Sequence, residues 1–363
     1  MNLIKQCESA MISKQANALM RAAQLVLLLL VLFLWANNGR SYGQQLRDVF
    51  RSVQPAVVIV KTEQIGLPPF PQQGLVSSDG LGSGVLISND KVLTAAHLVQ
   101  SADRTVVEFS QSEVIPAQVI GCSLSADVAL LQLERTPANY VAAKLGDSDQ
   151  VAVGDEIFVV GAPYGISNTL TAGHVSARRP LNATGQNVAT IEFLQTDAAV
   201  NSGNSGSPVF NMKGEIVGIV SNIMSRSGGS EGLAFAATAK TARHFLLEQK
   251  PFWTGIEGFR IEGSLGRALN LPQPAGVLVQ SVAEGSIAWR CGLHPGTLRA
   301  TVEGEEIILG GDIILAVNGV NVDAAESFDD IYSNITKVKP GDNLVITIFR
   351  QGKILKLVRP TSP

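Results

Sequence analysis

Short apolar runs, each broken by Gly, Pro, Asn or Ser, follow one another along most of the chain. The first group comprises Ala56–Val60, Gly84–Ile87, Lys91–Thr94, Thr105–Phe109, Val114–Ile120 and Val128–Leu133. Such strands, closely spaced and separated by turn signals, predict an all-β barrel. A second group begins near Val151: Glu156–Gly165, Leu170–Ser176, Ala189–Gln195, Ile216–Asn222 and Gly232–Ala236. It predicts a second barrel. Thr238–Gln249 reads as a closing helix, with a Thr cap at its start and Pro251 beyond its end. Leu46–Ser52 reads as a short helix. Gln64–Gly80, rich in Pro and Gly, reads as a mobile loop, and Ala177–Val188 as another. A further unit follows Trp253, with apolar runs at Gly276–Val282, Gly310–Gly319 and Asp342–Arg350 and a helix expected over Ala325–Ile335. The boundaries so drawn are 1–43, 44–250 and 251–363.

The N-terminal segment differs in kind. Ala22–Ala36 is a fifteen-residue stretch with one polar interruption, Gln24. A spanning helix needs about 20 apolar residues, whereas a signal-peptide core needs about 7–15. The apolar core, Leu25–Trp35, therefore fits a signal peptide, with cleavage after Ser41-Tyr42-Gly43. The long polar start and imperfect cleavage site leave an uncleaved membrane tether through Leu25–Trp35 as the alternative. Either one carries the rest of the chain across the membrane.

Composition narrows the classes. Of 363 residues, 45% are hydrophobic, 16% are charged and 35 are glycine, which suits a turn-rich folded β protein rather than disorder. The net charge of −3 and the lack of a basic patch speak against a nucleic-acid partner. The three cysteines, Cys7, Cys122 and Cys291, form no zinc pattern, and the last two are expected to be buried thiols. No metal or cofactor is expected. Of the four histidines, only His97 lies in a motif; His174, His244 and His294 read as surface or packing residues.

The chemistry gathers at Gly203-Asn204-Ser205-Gly206-Ser207-Pro208, a glycine-bracketed turn with a serine at its apex. A nucleophilic hydroxyl must stand clear of the backbone, and N–H groups must converge on the oxygen that becomes negative in acyl transfer. Alone, such a turn is as often an ordinary loop. Upstream, Val92–Val99 carries His97 at the end of an apolar strand, and Ser125–Leu131 carries Asp127 at the start of another. His, Asp, Ser is the chain order of the chymotrypsin-type triad. Thr-Ala-Ala-His97, Ala-Asp127-Val-Ala-Leu-Leu and Thr196-Asp-Ala-Ala-Val-Asn-Ser-Gly-Asn-Ser-Gly-Ser-Pro208 resemble the HtrA/Deg family of serine proteases. The resemblance runs from about Leu46 to the C-terminus. Ser207 departs from it, since many members carry glycine there.

The resemblance implies a mainly β fold: a chymotrypsin-like double β-barrel protease domain followed by an α+β PDZ domain. It implies Ser205 as nucleophile, His97 as general base and Asp127 as its orienter, with the N–H groups of Gly203 and Ser205 as oxyanion hole. Gln64–Gly80 stands where the family has a regulatory loop, and Ala177–Val188 where it has a loop that senses activator. The segment with Tyr42 and Phe50 corresponds to one that packs between subunits of a homotrimer. Thr254, Gly255 and Ile256 match the PDZ loop that receives a hydrophobic C-terminal peptide. Thr297–Leu309 is an insertion, read as a small hairpin.

In this fold the residue six before the serine, here Ala199, lies at the base of the primary pocket. Ser221, Asn222 and Ile223 are expected to pair with substrate. A small, uncharged pocket favours Val, Ala or Leu. Such side chains are buried in folded proteins, so unfolded or damaged chains become the expected substrates. The reading is an exported, ATP-independent, PDZ-regulated serine endopeptidase of protein quality control. The alternatives are a site-specific regulatory protease of an envelope stress pathway and a peptide-binding scaffold or holdase with an idle protease unit.

Overall fold

The computed structural model describes residues 19–29, 42–66, 76–110, 112–181, 191–249, 252–302, 304–322 and 342–360. The chain divides into two compact units, residues 1–48 and 49–363. Helix α1 covers the described residues 19–29. Among the described residues no helix is long and apolar enough to cross a membrane. The expected signal core or tether, Leu25–Trp35, lies partly outside the described residues. Helix α2, Tyr42–Val53, includes the expected Leu46–Ser52 helix and begins four residues earlier.

The first group of apolar runs folds into a closed barrel. Its strands are β1 (Val57–Gly66), β2 (Val76–Leu86), β3 (Lys91–Thr94), β4 (Arg104–Glu108), β5 (Val114–Ser123) and β6 (Val128–Leu133). They close in the order β1-β2-β3-β6-β5-β4. Val58, Val60, Leu86, Val92, Val107, Ile115 and Leu131 share one buried cluster. Burying a side chain of this size stabilises by about 1.5–3 kcal/mol, so the alternating pattern decides which way each strand faces. Much of the expected Gln64–Gly80 loop is strand. Gln64, Ile65 and Gly66 pair with Ser78, Ser77 and Val76, because backbone pairing continues past the apolar residues that mark the strand. Residues 67–75 lie outside the described residues.

The second barrel uses β8 (Glu156–Gly161), β9 (Thr169–Leu181), β10 (Ile191–Thr196), β11 (Pro208–Asn211), β12 (Glu215–Ile223) and β13 (Ala234–Thr238). Their order is β11-β8-β9-β10-β13-β12, and a β11–β12 pairing closes the ring. The short β7, Lys144–Leu145, pairs in parallel with β12. Ile157, Val159, Val175, Leu194, Val209 and Val217 fill the interior. The start of the expected Ala177–Val188 loop is strand. Ala177–Leu181 belongs to β9 and pairs with β10, while residues 182–190 lie outside the described residues. Strand Arg178 is held at this edge by Glu192, through bonds of 2.9 and 2.5 Å. The closing helix forms as its cap predicts: the Thr238 hydroxyl accepts from Thr241 N–H, and α4 spans Ala239–Arg243. A π-turn over His244–Glu248 extends it.

The C-terminal domain is an antiparallel sheet in the order β14-β15-β18-β20-β21. These strands are β14 (Ile256–Glu262), β15 (Ala275–Val282), β18 (Ile313–Val317), β20 (Asn343–Arg350) and β21 (Lys353–Pro360), with the short β19 (Val320–Asn321) on β18. Helices α5 (Gly263–Ala268) and α6 (Ile287–Cys291) accompany it. The insertion forms the expected hairpin, β16 (Leu298–Val302) with β17 (Glu305–Leu309). The helix expected over Ala325–Ile335 lies outside the described residues. Trp253, just before this domain, packs against the core of the first barrel.

Candidate active site

The site lies where the two barrels exchange hydrogen bonds. Strand β3 ends at Thr94, and Ala95 leads into a one-turn helix, α3 (Ala96–Val99), which presents His97. His97 thus stands on a helix just beyond the strand end expected for it, with its side chain 46% exposed. Asp127 directly precedes β6 and holds a left-handed backbone with φ of 51°. Asp tolerates that region better than most residues do, and the turn aims its carboxylate back at α3. Asp127 Oδ2 lies 2.9 Å from His97 Nδ1, and Oδ1 accepts the His97 backbone N–H at 2.9 Å. Ring and backbone of one residue are therefore held by one carboxylate.

A third donor comes from the second barrel. The Ser221 hydroxyl donates to Asp127 Oδ2 at 2.5 Å. The β12–β13 register shifts between Val220 and Asn222, so Ser221 sits in a bulge, which re-aims its side chain. The strand through Ser221 was expected to pair with substrate; the Ser221 side chain holds the carboxylate, and the residue is 3% exposed. Burial raises the Asp127 carboxyl's pKa, but the bonds and charge of His97, with the Ser221 hydroxyl, outweigh that and hold it below the usual carboxylate range.

Ser205 is fixed from both sides. Ser83 N–H donates to the Ser205 carbonyl at 2.8 Å, and Gly206 N–H donates to the Val220 carbonyl at 2.8 Å. Gly206 has φ of +83°, and a Cβ there would lie 2.1 Å from the Ser83 carbonyl oxygen. Only glycine fits this crossing between the barrels. Ser83, fully buried, bridges further: its hydroxyl donates to the Gly203 carbonyl at 2.8 Å and accepts from Ala162 N–H at 2.9 Å. The sequence reading missed Ser83, whose only signal was the motif Gly82-Ser83-Gly84 opposite the serine loop. Among the described residues no hydrogen bond joins the Ser205 hydroxyl to the imidazole. The unusual Ser207 is fully buried. Its hydroxyl fits because Gly161 faces it, where a Cβ would lie 2.1 Å away.

The peptide between Ser202 and Gly203 has a definite orientation. Tyr164 N–H donates to the Ser202 carbonyl at 3.1 Å. In a trans peptide the carbonyl and the next N–H point in opposite directions, so Gly203 N–H faces away from the Tyr164 loop. Asn204 N–H bonds to the Asn201 carbonyl, and Ser207 N–H to that of Asn204. Among the described residues, the N–H groups of Gly203 and Ser205 have no partner within the chain. Ala199 is exposed, and the buried Val200 beside it bonds through N–H to the Ser230 hydroxyl at 3.4 Å. Asn222 is exposed and Ile223 half-buried.

The remaining candidates separate from the site. His174 and His294 are exposed, and His244 packs edge-on against Phe245 at 5.2 Å. Cys122 and Cys291 are free, buried thiols. Burial, and then the Asp127 charge, pushes the Cys122 thiol far above its usual range. Among the described residues no cluster of metal-ligating side chains occurs.

A carboxylate-anchored imidazole, a glycine-bracketed serine and two closed β barrels define a trypsin-like serine endopeptidase. The model of the trypsin-like peptidase domain matches residues 82–219. The chain is 32% identical over 381 residues to a probable periplasmic serine endoprotease, DegP-like, of Pseudomonas fulva (strain 12-X), covering 92% of this chain and 74% of that protein. It is also 32% identical to the periplasmic pH-dependent serine endoprotease DegQ of Escherichia coli (strain K12), covering 86% of this chain and 69% of that protein. Against the probable periplasmic serine protease do/HhoA-like of Haemophilus influenzae, the shares are 76% and 56% at 36% identity. A solved HtrA-type protease, AlgW carrying a serine-to-alanine change and bound to a decapeptide, matches with a TM-score of 0.51 at 28% identity, over 89% of this chain and 99% of that one. The chain belongs to the HtrA/Deg family of serine endopeptidases. It spans between about half and three quarters of the length of the curated relatives it matches.

Proposed function

We propose that this endopeptidase cleaves unfolded or damaged proteins after small apolar residues, with Ser205 as nucleophile. His97 takes the hydroxyl proton and returns it to the leaving amine. Asp127 keeps the imidazole in the useful tautomer and stabilises its charged form. The N–H groups of Gly203 and Ser205 receive the oxyanion. Losing one such donor typically costs about 10²–10³-fold in turnover. The observation that carries this reading is the chain of bonds from Ser221 through Asp127 to His97, joined by the Gly206–Val220 bond to the turn that carries Ser205. The serine–imidazole bond of such sites often tightens only with substrate in place.

The exposed, uncharged Ala199 supports a preference for Val, Ala or Leu at the cleaved position. The relatives' periplasmic names support a periplasmic location. The order of elements after Trp253 supports a PDZ domain whose Thr254–Gly255–Ile256 loop takes apolar C-terminal peptides. Assembly as a homotrimer through the Tyr42–Phe50 segment rests on the family alone. Incubation of wild type and Ser205→Ala with an unfolded model protein tests the reading. Wild type alone is expected to cut, after apolar residues, and to cut faster with an apolar C-terminal peptide. Cleavage by both proteins equally would remove Ser205 from the mechanism. Cleavage confined to one envelope protein would favour the regulatory alternative.

A further inference from the structure

Among the described residues strand β14 pairs with β15 alone, which leaves its other edge to an added strand. Such a strand bonds to the carbonyls that point away from β15. The first of these, on Ile256, is already taken: Gln100 Nε2 donates to it at 2.9 Å and to Thr254 Oγ1 at 2.7 Å. Gln100 belongs to the protease domain, directly after α3, and is 6% exposed. The loop itself has the form of an anion receptor. Its carbonyls turn inward, Thr254 to Ala288 N–H and Gly255 to Ala283 N–H. Gly255 has φ of +70°, and a Cβ there would lie 2.1 Å from Ser286 Cβ.

We propose that Gln100 is a built-in competitor at the peptide site, whose side-chain amide occupies the acceptor that the last N–H of a C-terminal peptide requires. The proposal rests on reading Thr254–Ile256 as the carboxylate loop, and it names how that site is held against occupation. Gln100 is suited to release. Its Oε1 is buried without a hydrogen-bond partner among the described residues, so the docked side chain is only half satisfied. Trp253 Nε1 donates to the Gln100 backbone carbonyl at 3.0 Å, which holds the main chain while the side chain swings away. Asp103 keeps the domains together independently, accepting from Glu284 N–H and Ile65 N–H at 2.9 and 2.7 Å. Displacement and binding then share one acceptor, so the two are linked reciprocally.

The test uses the full chain with Ser205→Ala, so that the probe survives. The probe is a fluorescein-labelled decapeptide ending in Ala-Leu-Val with a free carboxylate, beside its amidated form. Gln100→Met keeps the side-chain volume and removes the donor. It is expected to bind the free-acid peptide about tenfold more tightly. Thr254→Val, which removes one of the two acceptors and leaves α3 untouched, is expected to tighten binding about threefold. Equal or weaker binding by folded Gln100→Met and Thr254→Val overturns the competitor. Failure of all variants to bind, or indifference to amidation, overturns the carboxylate-loop reading beneath it.

Discussion

Two carboxylates, one half-buried between the barrels and one fully buried in the C-terminal part, show how different partners put the same group to different use. Asp127 lies between the barrels, its side chain 16% exposed, facing an imidazole and a hydroxyl. Asp312, in the C-terminal domain, is 1% exposed and faces Arg350. Arg350 Nε and Nη2 lie 2.6 and 2.7 Å from its two oxygens, Nη2 also donates to the Gly292 carbonyl at 2.8 Å, and His294 N–H donates to Asp312 Oδ2 at 2.8 Å. A guanidinium does not give up its proton in a protein, and the bond to Asp312 raises the Arg350 pKa further. That pair is fixed and serves the fold. The partner of Asp127 is instead an imidazole, a group that can accept a proton and hand it on, so that pair suits chemistry.

The sharpest way to break this contrast is Asp127→Asn. It keeps the shape but favours the wrong imidazole tautomer, and the expected loss of turnover on a peptide substrate is about 10⁴-fold. A loss of turnover far larger than the accompanying loss of stability would show that the carboxylate's role is chiefly chemical. Arg350→Ala addresses the other half. Leaving Asp312 buried and unpaired should cost about 3–5 kcal/mol of stability, read by urea unfolding of the C-terminal domain, with cleavage of short substrates retained. Equal loss of turnover in both variants would dissolve the distinction.

Ser221→Ala sharpens the comparison within the active site. A hydrogen bond to a charged group is worth about 1.5–3 kcal/mol, so turnover should fall roughly 10- to 100-fold. An unchanged rate would show that the Ser221 hydroxyl is not needed to support the carboxylate. The pH dependence is gentler. Asp127 has a folded pKa below its unfolded one, so its stabilising contribution is complete above about pH 3.9 and is lost as pH falls through the folded value. The stability gap between wild type and Asp127→Asn should be constant near neutral pH and narrow in strong acid. The smallest effect concerns Cys122, beside the same carboxylate. Its raised thiol should resist alkylation in the native protein, mapped by peptide mass, and react only on unfolding.

Much of this was legible beforehand. β3 and β6 lie at Lys91–Thr94 and Val128–Leu133, as their apolar runs predict. Apolar periodicity records which residues must leave water, and that demand is local. It fails where backbone pairing outruns side-chain burial, as at Gln64–Gly66 and at Ala177–Leu181, whose polar residues form strand edges. The hairpin within Thr297–Leu309 was expected only as an insertion relative to the family; in the structure Gly304, with φ of +88°, lies between its strands.

The sequence by itself determined the two barrels, the candidates His97, Asp127 and Ser205, and the cap of the closing helix, because each is written in a short motif with a local physical cause. Only the tertiary structure decided which groups meet across the barrels. Ser221 reaches Asp127 through a bulge, Ser83 clamps the serine loop, and Gln100 reaches into the neighbouring domain. Their hydrogen bonds join residues 94, 120 and 156 positions apart. No periodicity encodes such a distance, since it arises only when two closed barrels and a third domain pack in one arrangement.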